Sequence, residues 1–130
     1  MVGCGNSKLS EEMAEQDNYQ NIYNMDISPV VLEKMKSHNS DRPDKFPHCH
    51  HFQHVIADAT RLAFRDNFFD ITIDKGTYDA LACSDKDKTP IKNLTQEMLR
   101  VTRKGGALVI ITNGVPQKRL KDLESFAELA

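Results

Sequence analysis

Apolar residues along this chain come in short clusters that obey two different periods. Ile22, Tyr23 and Met25, then Val55-Ile56-Ala57, then Phe69 to Ile73, then Ala107 to Thr112 are of strand length and rich in β-branched or aromatic side chains. Between them, apolar residues recur at three- and four-residue spacing: Leu9 with Met13, Val31 and Leu32 with Met35, Leu94 with Met98, Leu99 and Val101, and finally Leu120, Leu123, Phe126, Ala127 and Leu129. That spacing predicts amphipathic helices over about 9–16, 29–37, 90–102 and 118–129, the first with its glutamates turned outward. Asp17-Asn18 breaks the first helix. Ser28-Pro29 starts the second, with a capping hydroxyl followed by proline at the first helical position, where a missing N–H costs nothing. Lys104-Gly105-Gly106 is expected to stop the third, Asn113-Gly114 to turn, and Pro116 to open the last. Lys75 to Leu81 leaves its strand and starts a helical turn; His38 to Phe52 and Ser84 to Thr89 read as polar surface loops.

Strands alternating with helices imply an α/β fold: a Rossmann-like parallel sheet with helices on both faces and right-handed crossovers. In such sheets ligands bind beyond the carboxyl ends of the strands. Gly5, Asp26, Asp58 and Asp74 all fall at predicted strand ends and are expected to line one crevice.

The first of these positions stands in the stretch Val2-Gly3-Cys4-Gly5-Asn6-Ser7, a glycine pair where a strand would hand over to a helix. Without a Cβ the backbone there turns sharply and admits a ligand to the main chain. Asp26 lies 21 residues past Gly5, the distance at which a carboxylate can accept hydrogen bonds from both hydroxyls of a ribose. Dehydrogenases share that geometry, but a dinucleotide site wants a third glycine near the pyrophosphate, and Gly3-Cys4-Gly5-Asn6-Ser7-Lys8 lacks it. S-adenosylmethionine carries no phosphate and asks less of the helix.

Composition narrows the field further. A chain of 130 residues with 39% hydrophobic and 28% charged suits a single globular domain. Its net charge of −2 and scattered Lys and Arg offer no nucleic-acid footprint. No membrane-spanning run or signal pattern is present, so the chain as given reads as cytoplasmic, with a lost N-terminal targeting segment left open. Cys4, Cys49 and Cys83 are unpaired in spacing and read as reduced thiols. His48, Cys49, His50, His51 and His54 resemble a metal cluster but lack a second pair at finger-like distance, and no metal is expected. Only Met1 and Val2 precede the glycine turn, where a buried strand of about five residues is usual. The chain therefore reads as clipped. Its first strand should lie between those ending at Asp26 and Asp74, and 1–130 alone is expected to be marginally stable and a poor catalyst unless a partner chain adds a strand.

Val2-Gly3-Cys4-Gly5-Asn6-Ser7 followed by Leu9-Ser10, then Asn24-Met25-Asp26-Ile27-Ser28, then Asp74-Lys75-Gly76-Thr77-Tyr78-Asp79-Ala80 together resemble the class I S-adenosylmethionine-dependent methyltransferases. Within that class the chain is most similar to the lysine methyltransferases of elongation factor 1-alpha, over roughly Val2 to Arg119. The resemblance implies that Gly3, Cys4, Gly5 and Asn6 touch the methionine and ribose portions of the cofactor, Asp26 the ribose diol, Ile27 the adenine face, and Asp58 and Ala59 the adenine edge. It also implies that Asp74, Lys75 and Gly76 flank the sulfonium, with Asp74 and Asp79 the candidate catalytic carboxylates that orient an amine. Members of the group carry a segment ahead of the glycine motif and strands after the last helix seen here; Asp17-Asn18 replaces a usual glycine, and the loop from His38 to Phe52 is long. The expected activity is methyl transfer to a protein lysine, with elongation factor 1-alpha the expected substrate. Two alternatives stay open: a noncatalytic methyltransferase-like subunit or truncated paralogue, and a small-molecule methyltransferase.

Overall fold

The structure, a computed structural model, describes residues 1–16, 19–41, 52–83 and 86–128. In chain order the elements are α1 (Leu9–Gln16), β1 (Ile22–Asp26), α2 (Pro29–Ser40), β2 (Phe52–Ile56), β3 (Phe69–Lys75), α3 (Thr77–Cys83), α4 (Thr89–Val101), β4 (Thr102–Ile111) and α5 (Pro116–Glu128). They fall into two compact units, one formed by residues 1 and 3–57 and the other by residues 2 and 58–130. The predicted breaker Asp17-Asn18, the loop residues Pro43, Asp44 and Pro47, the cluster His48 to His51, Ser84 and Leu129 lie outside the described residues.

In the first unit β1 and β2 pair in parallel, from Ile22 opposite Phe52 to Asp26 opposite Ile56. β2 begins three residues before its expected start because Phe52 is buried with Ile22 and Ala14, and Met13 packs on that cluster. The second helix also runs past expectation, to Ser40, because Leu32, Met35 and Asn39 continue one buried stripe at helical spacing. Its entry is as read: Ser28 Oγ accepts from Val31 N at 3.4 Å, and Pro29 occupies the first turn. α1 departs from expectation, since its buried face is Ser10, Glu11 and Ala14. Glu11 does not point outward; its Oε1 lies 3.7 Å from His38 Nε2 of α2. Ahead of α1 the chain is tied to β1, with Met25 N donating to Met1 O at 2.9 Å and Cys4 N to Met25 O at 2.8 Å.

In the second unit β3 and β4 are parallel, from Ile71 opposite Ala107 to Lys75 opposite Ile111, with a register shift between Phe69 and Ile71. Val2 is fully buried, its N donates to Ile73 O at 2.9 Å, and it forms an isolated parallel bridge with Asp74. α4 buries Ile91, Leu94, Thr95, Met98 and Val101. Full burial of side chains such as Leu94 and Met98 stabilises by roughly 1.5–3 kcal/mol each. Thr102 turns extended and ends this helix, so Lys104-Gly105-Gly106 is not a helix stop; it lies inside β4. The reason is steric: a Cβ on Gly106 would stand 2.4 Å from the carbonyl oxygen of Asp70, so only glycine lets the strands close there. In α5 the buried residues are Asp122 and Phe126, whereas Leu120, expected inward, is exposed. Ile71, Val109 and Ile111 fall on one face of this sheet and are exposed. Among the described residues no helix is long and apolar enough to cross a membrane.

Candidate functional site

The glycine turn and the first strand end meet within the first unit. Gly3 and Gly5 have φ of 55° and 51°, left-handed conformations that a side chain would strain. A Cβ placed on Gly5 would meet nothing within 4 Å, so open space lies before the peptide. Gly5 N donates to Asp26 Oδ2 at 2.9 Å, and Ser28 N donates to Asp26 Oδ1 at 2.9 Å. Two amides thus fix the carboxylate plane while each oxygen keeps acceptor capacity, and the residue stays partly exposed. Ile27 follows it at 70% exposure, and Val30 and Ile56 of the same unit are 61% and 64% exposed. Cys4 is buried, and burial, with Asp26 nearby, pushes its thiol up to about 11. It is protonated near neutrality and no nucleophile. Asn6 is exposed.

The remaining candidates belong to the second unit. Asp58 lies two residues beyond the end of β2 rather than on it; its Oδ1 accepts from Thr60 N and Oγ1 at 2.9 and 2.7 Å, which holds the carboxyl below its ordinary value. Ala59 beside it is half-buried. The turn that follows is stapled by a pair that sequence reading passed over. Arg100 donates to the carbonyls of Leu62 and Phe64 and to Asp66, and Glu97 accepts from Leu62 N. Their i, i+3 spacing on a helix was the available signal.

Asp74 is fully buried and caps α3: Oδ1 accepts from Thr77 N and Oδ2 from Tyr78 N, both at 3.0 Å. Desolvation raises its pKa, and these bonds only partly offset the rise. Lys75 is exposed, and Gly76 turns the chain into α3 with φ of 93°. Asp79 is taken from three sides: Thr112 Oγ1 donates to Oδ1, Arg119 Nη2 donates to Oδ1 at 3.1 Å, and Asn113 N donates to Oδ2 at 2.8 Å. Burial pushes this carboxyl up, but the three donors outweigh it and hold it below the ordinary range. Thr112 and Arg119 were not among the residues singled out, because nothing local in the sequence ties them to Asp79. Among the described residues no three His, Cys, Asp or Glu side chains gather as metal ligands.

The profile of the methyltransferase domain matches residues 1–110. The chain belongs to the methyltransferase-domain family. This methyltransferase domain is 42% identical over 109 residues to the eEF1A lysine and N-terminal methyltransferase homolog of Drosophila pseudoobscura pseudoobscura, covering 82% of the chain and 15% of that protein. It is 34% identical over 114 residues to the eEF1A lysine and N-terminal methyltransferase of Homo sapiens, covering 86% and 15%. Against EEF1A lysine methyltransferase 4 of Mus musculus it is 26% identical over 129 residues, covering 93% and 48%. The chain thus spans about one seventh of the length of the fly and human relatives and about half of the mouse one. Among solved structures, the [4+2]-cyclase SpnF aligns with a TM-score of 0.75 at 19% identity over 96% of this chain and 49% of its own. A candidate S-adenosyl-L-methionine-dependent methyltransferase of Methanococcus maripaludis aligns at 0.66 and 20% identity over 95% and 51%. These likenesses establish the class I methyltransferase fold. A cyclase on the same fold shows that chemistry is set by the site and not by the sheet.

Proposed function

We propose that this methyltransferase domain serves a cytoplasmic protein-lysine methyltransferase whose substrate is elongation factor 1-alpha. The observation that carries the reading is the Gly5–Asp26 hydrogen bond, which holds a partly exposed carboxylate beside an open glycine peptide. The residues present fit S-adenosyl-L-methionine: Gly3 to Asn6 take its methionine and ribose portions, Asp26 its diol, and Ile27 its adenine face. A dinucleotide pyrophosphate finds no third glycine here. Asp58 and Ala59 serve the adenine edge. When bound, the cofactor supplies an electrophilic methyl group on a sulfonium.

The demands on side chains are then mostly those of placement. A lysine amine is neutral in roughly one molecule in 2,500 at pH 7, so the site must desolvate it or pass on its proton. Lys75 and Gly76 form the turn proposed to flank the reacting methyl. Asp74 and Asp79, the proposed catalytic carboxylates, orient the acceptor by way of the start of α3: Asp74 accepts from the amides of Thr77 and Tyr78, and Asp79, itself on that helix, accepts from Thr112, Asn113 and Arg119. The curated relatives, named for lysine and N-terminal methylation of eEF1A, support a protein amine as acceptor.

The test supplies labelled cofactor to the native-length protein with elongation factor 1-alpha and maps the label by peptide. Methyl groups on a lysine side chain are expected. Label confined to the substrate's α-amino group would move the reading to N-terminal methylation, and label found only on small molecules would overturn it.

A further inference from the structure

Asp79 is gripped by a side chain from the far end of the second unit. Arg119, in the first turn of α5, donates through Nε to Thr112 Oγ1 at 3.2 Å and through Nη2 to Asp79 Oδ1 at 3.1 Å, while its Cζ stands 5.0 Å from the centroid of the Tyr78 ring. The pair is well covered, with side-chain exposures of 16% for Arg119 and 18% for Asp79. A planar guanidinium reaches two acceptors and a ring face at once; an ammonium cannot.

The turn before α5 is shaped around this contact. Gly114 N donates to Thr112 Oγ1 at 3.0 Å, and a Cβ on Gly114 would fall 2.2 Å from Arg119 Nε and 2.6 Å from its Cζ. Any side chain at 114 therefore evicts the guanidinium from its seat. This second observation is independent of the hydrogen bonds.

α3 needs such ties. With 7 residues it is too short to hold itself, and its first amides depend on Asp74. The Arg119 clasp holds the same turn one residue further along, at Tyr78 and Asp79. The segment Asp74-Lys75-Gly76 leads from β3 into this doubly held turn, so its freedom is set by both anchors.

We propose that Arg119 is a positioning residue for methyl transfer, which fixes the Asp74-Lys75-Gly76 turn by clasping Asp79 and Thr112 across the start of α3. The inference rests on the functional reading above, in which that turn flanks the transferred methyl. Arg119 touches neither cofactor nor acceptor in this scheme; it acts through α3. Its loss should misplace the reacting groups while leaving the ribose anchor at Asp26 intact.

The experiment compares Arg119→Ala, Arg119→Lys and Gly114→Ala with the wild type in the native-length protein. Turnover in Arg119→Ala should fall between about ten- and a hundredfold, the cost of a small misplacement, with KM for the cofactor within about twofold of wild type. Arg119→Lys should recover little, and Gly114→Ala should reproduce the defect with the arginine still present. Amide hydrogen exchange at Thr77 to Ala80 should quicken in both Arg119→Ala and Gly114→Ala. Exchange that stays at wild-type rates in both variants overturns the proposal whatever the acceptor proves to be. So does a loss that falls equally on cofactor KM and thermal stability with turnover unchanged. If the wild type labels an acceptor other than a protein amine, the functional reading fails, and the clasp is judged by exchange and by turnover on that acceptor.

Discussion

Asp26 and Asp74 occupy equivalent stations and have opposite fates. Each stands at the carboxyl end of a parallel strand and accepts two backbone amides. Asp26 remains partly exposed, whereas Asp74 is buried completely. The number of hydrogen bonds does not separate them; the origin of the donors does. Asp26 is held by a glycine turn 21 residues upstream and by Ser28, which leaves its outer edge open. Asp74 is held by two successive amides of the helix that begins at Thr77 and closes over it. The next helix starts three residues on in both cases, but Pro29 has no N–H to offer Asp26 where Thr77 donates to Asp74, so one carboxylate is left open and the other is consumed by the fold.

The comparison is tested most severely at Asp74. Asp74→Ala leaves one buried and one part-buried amide without an acceptor and should destabilise the chain by about 3 kcal/mol, with Asp74→Asn restoring part of the loss. Urea unfolding measures it, and a cost below about 1 kcal/mol would mean that the cap is dispensable. Asp26→Ala should do the reverse. Cofactor affinity is expected to fall by about 1.5–3 kcal/mol, read by calorimetry on the native-length protein, with a smaller change in melting temperature. Equal losses of stability in the two variants would erase the distinction.

Proton linkage gives a subtler version of the contrast. Asp79 titrates below the ordinary carboxylate value in the folded state, so its contribution is present above the unfolded pKa and is lost as pH falls through the folded one. Asp74 is raised by desolvation; its protonated form favours folding, and that advantage is lost as pH rises through the folded pKa. Stability measured from pH 7 downward should therefore fall less steeply in Asp79→Asn, while Asp74→Asn should remove a loss that accrues as pH rises. The smallest effect is expected at Ile27. Because its side chain is 70% exposed, Ile27→Ala should change stability by no more than about 0.5 kcal/mol. Cofactor affinity should nevertheless weaken by about 1 kcal/mol through lost apolar contact, measurable in the same calorimetric titration.

Much of this arrangement was legible in the sequence because it rests on local chemistry. Glycines at positive φ, a strand-end acid at a set distance, and Ser28-Pro29 at a helix start each announce themselves within a few residues. The departures have a common cause in contacts made at long range. Gly105 and Gly106 read as a helix stop, yet the role of Gly106 depends on the backbone of Asp70, more than thirty residues earlier. Glu11 read as a solvent-facing charge, but α2 brings His38 to it. Leu120 read as core, and the buried face of α5 instead carries Asp122, whose Oδ1 accepts from Lys88 Nζ at 2.7 Å. Arg119 carried no local signal, since its meaning comes from Asp79, forty residues away. Periodicity finds elements and turn chemistry finds their ends; neither reports which distant group will occupy a given position.

The close approach at Gly106 bears on the fidelity of folding as well as on stability. Strand faces alternate with a period of two, so a slip of one residue between β3 and β4 would exchange the sides of Leu108, Val109 and Ile110. The notch at Gly106 admits the Asp70 carbonyl, and a slip that brought the Cβ of Ala107 to that place would be refused, so it acts as a key against that misregistered pairing. A side chain there should yield a population of kinetically trapped, wrongly aligned sheets, visible as extra slow refolding phases and a raised tendency to aggregate, in proportion to bulk and not to polarity.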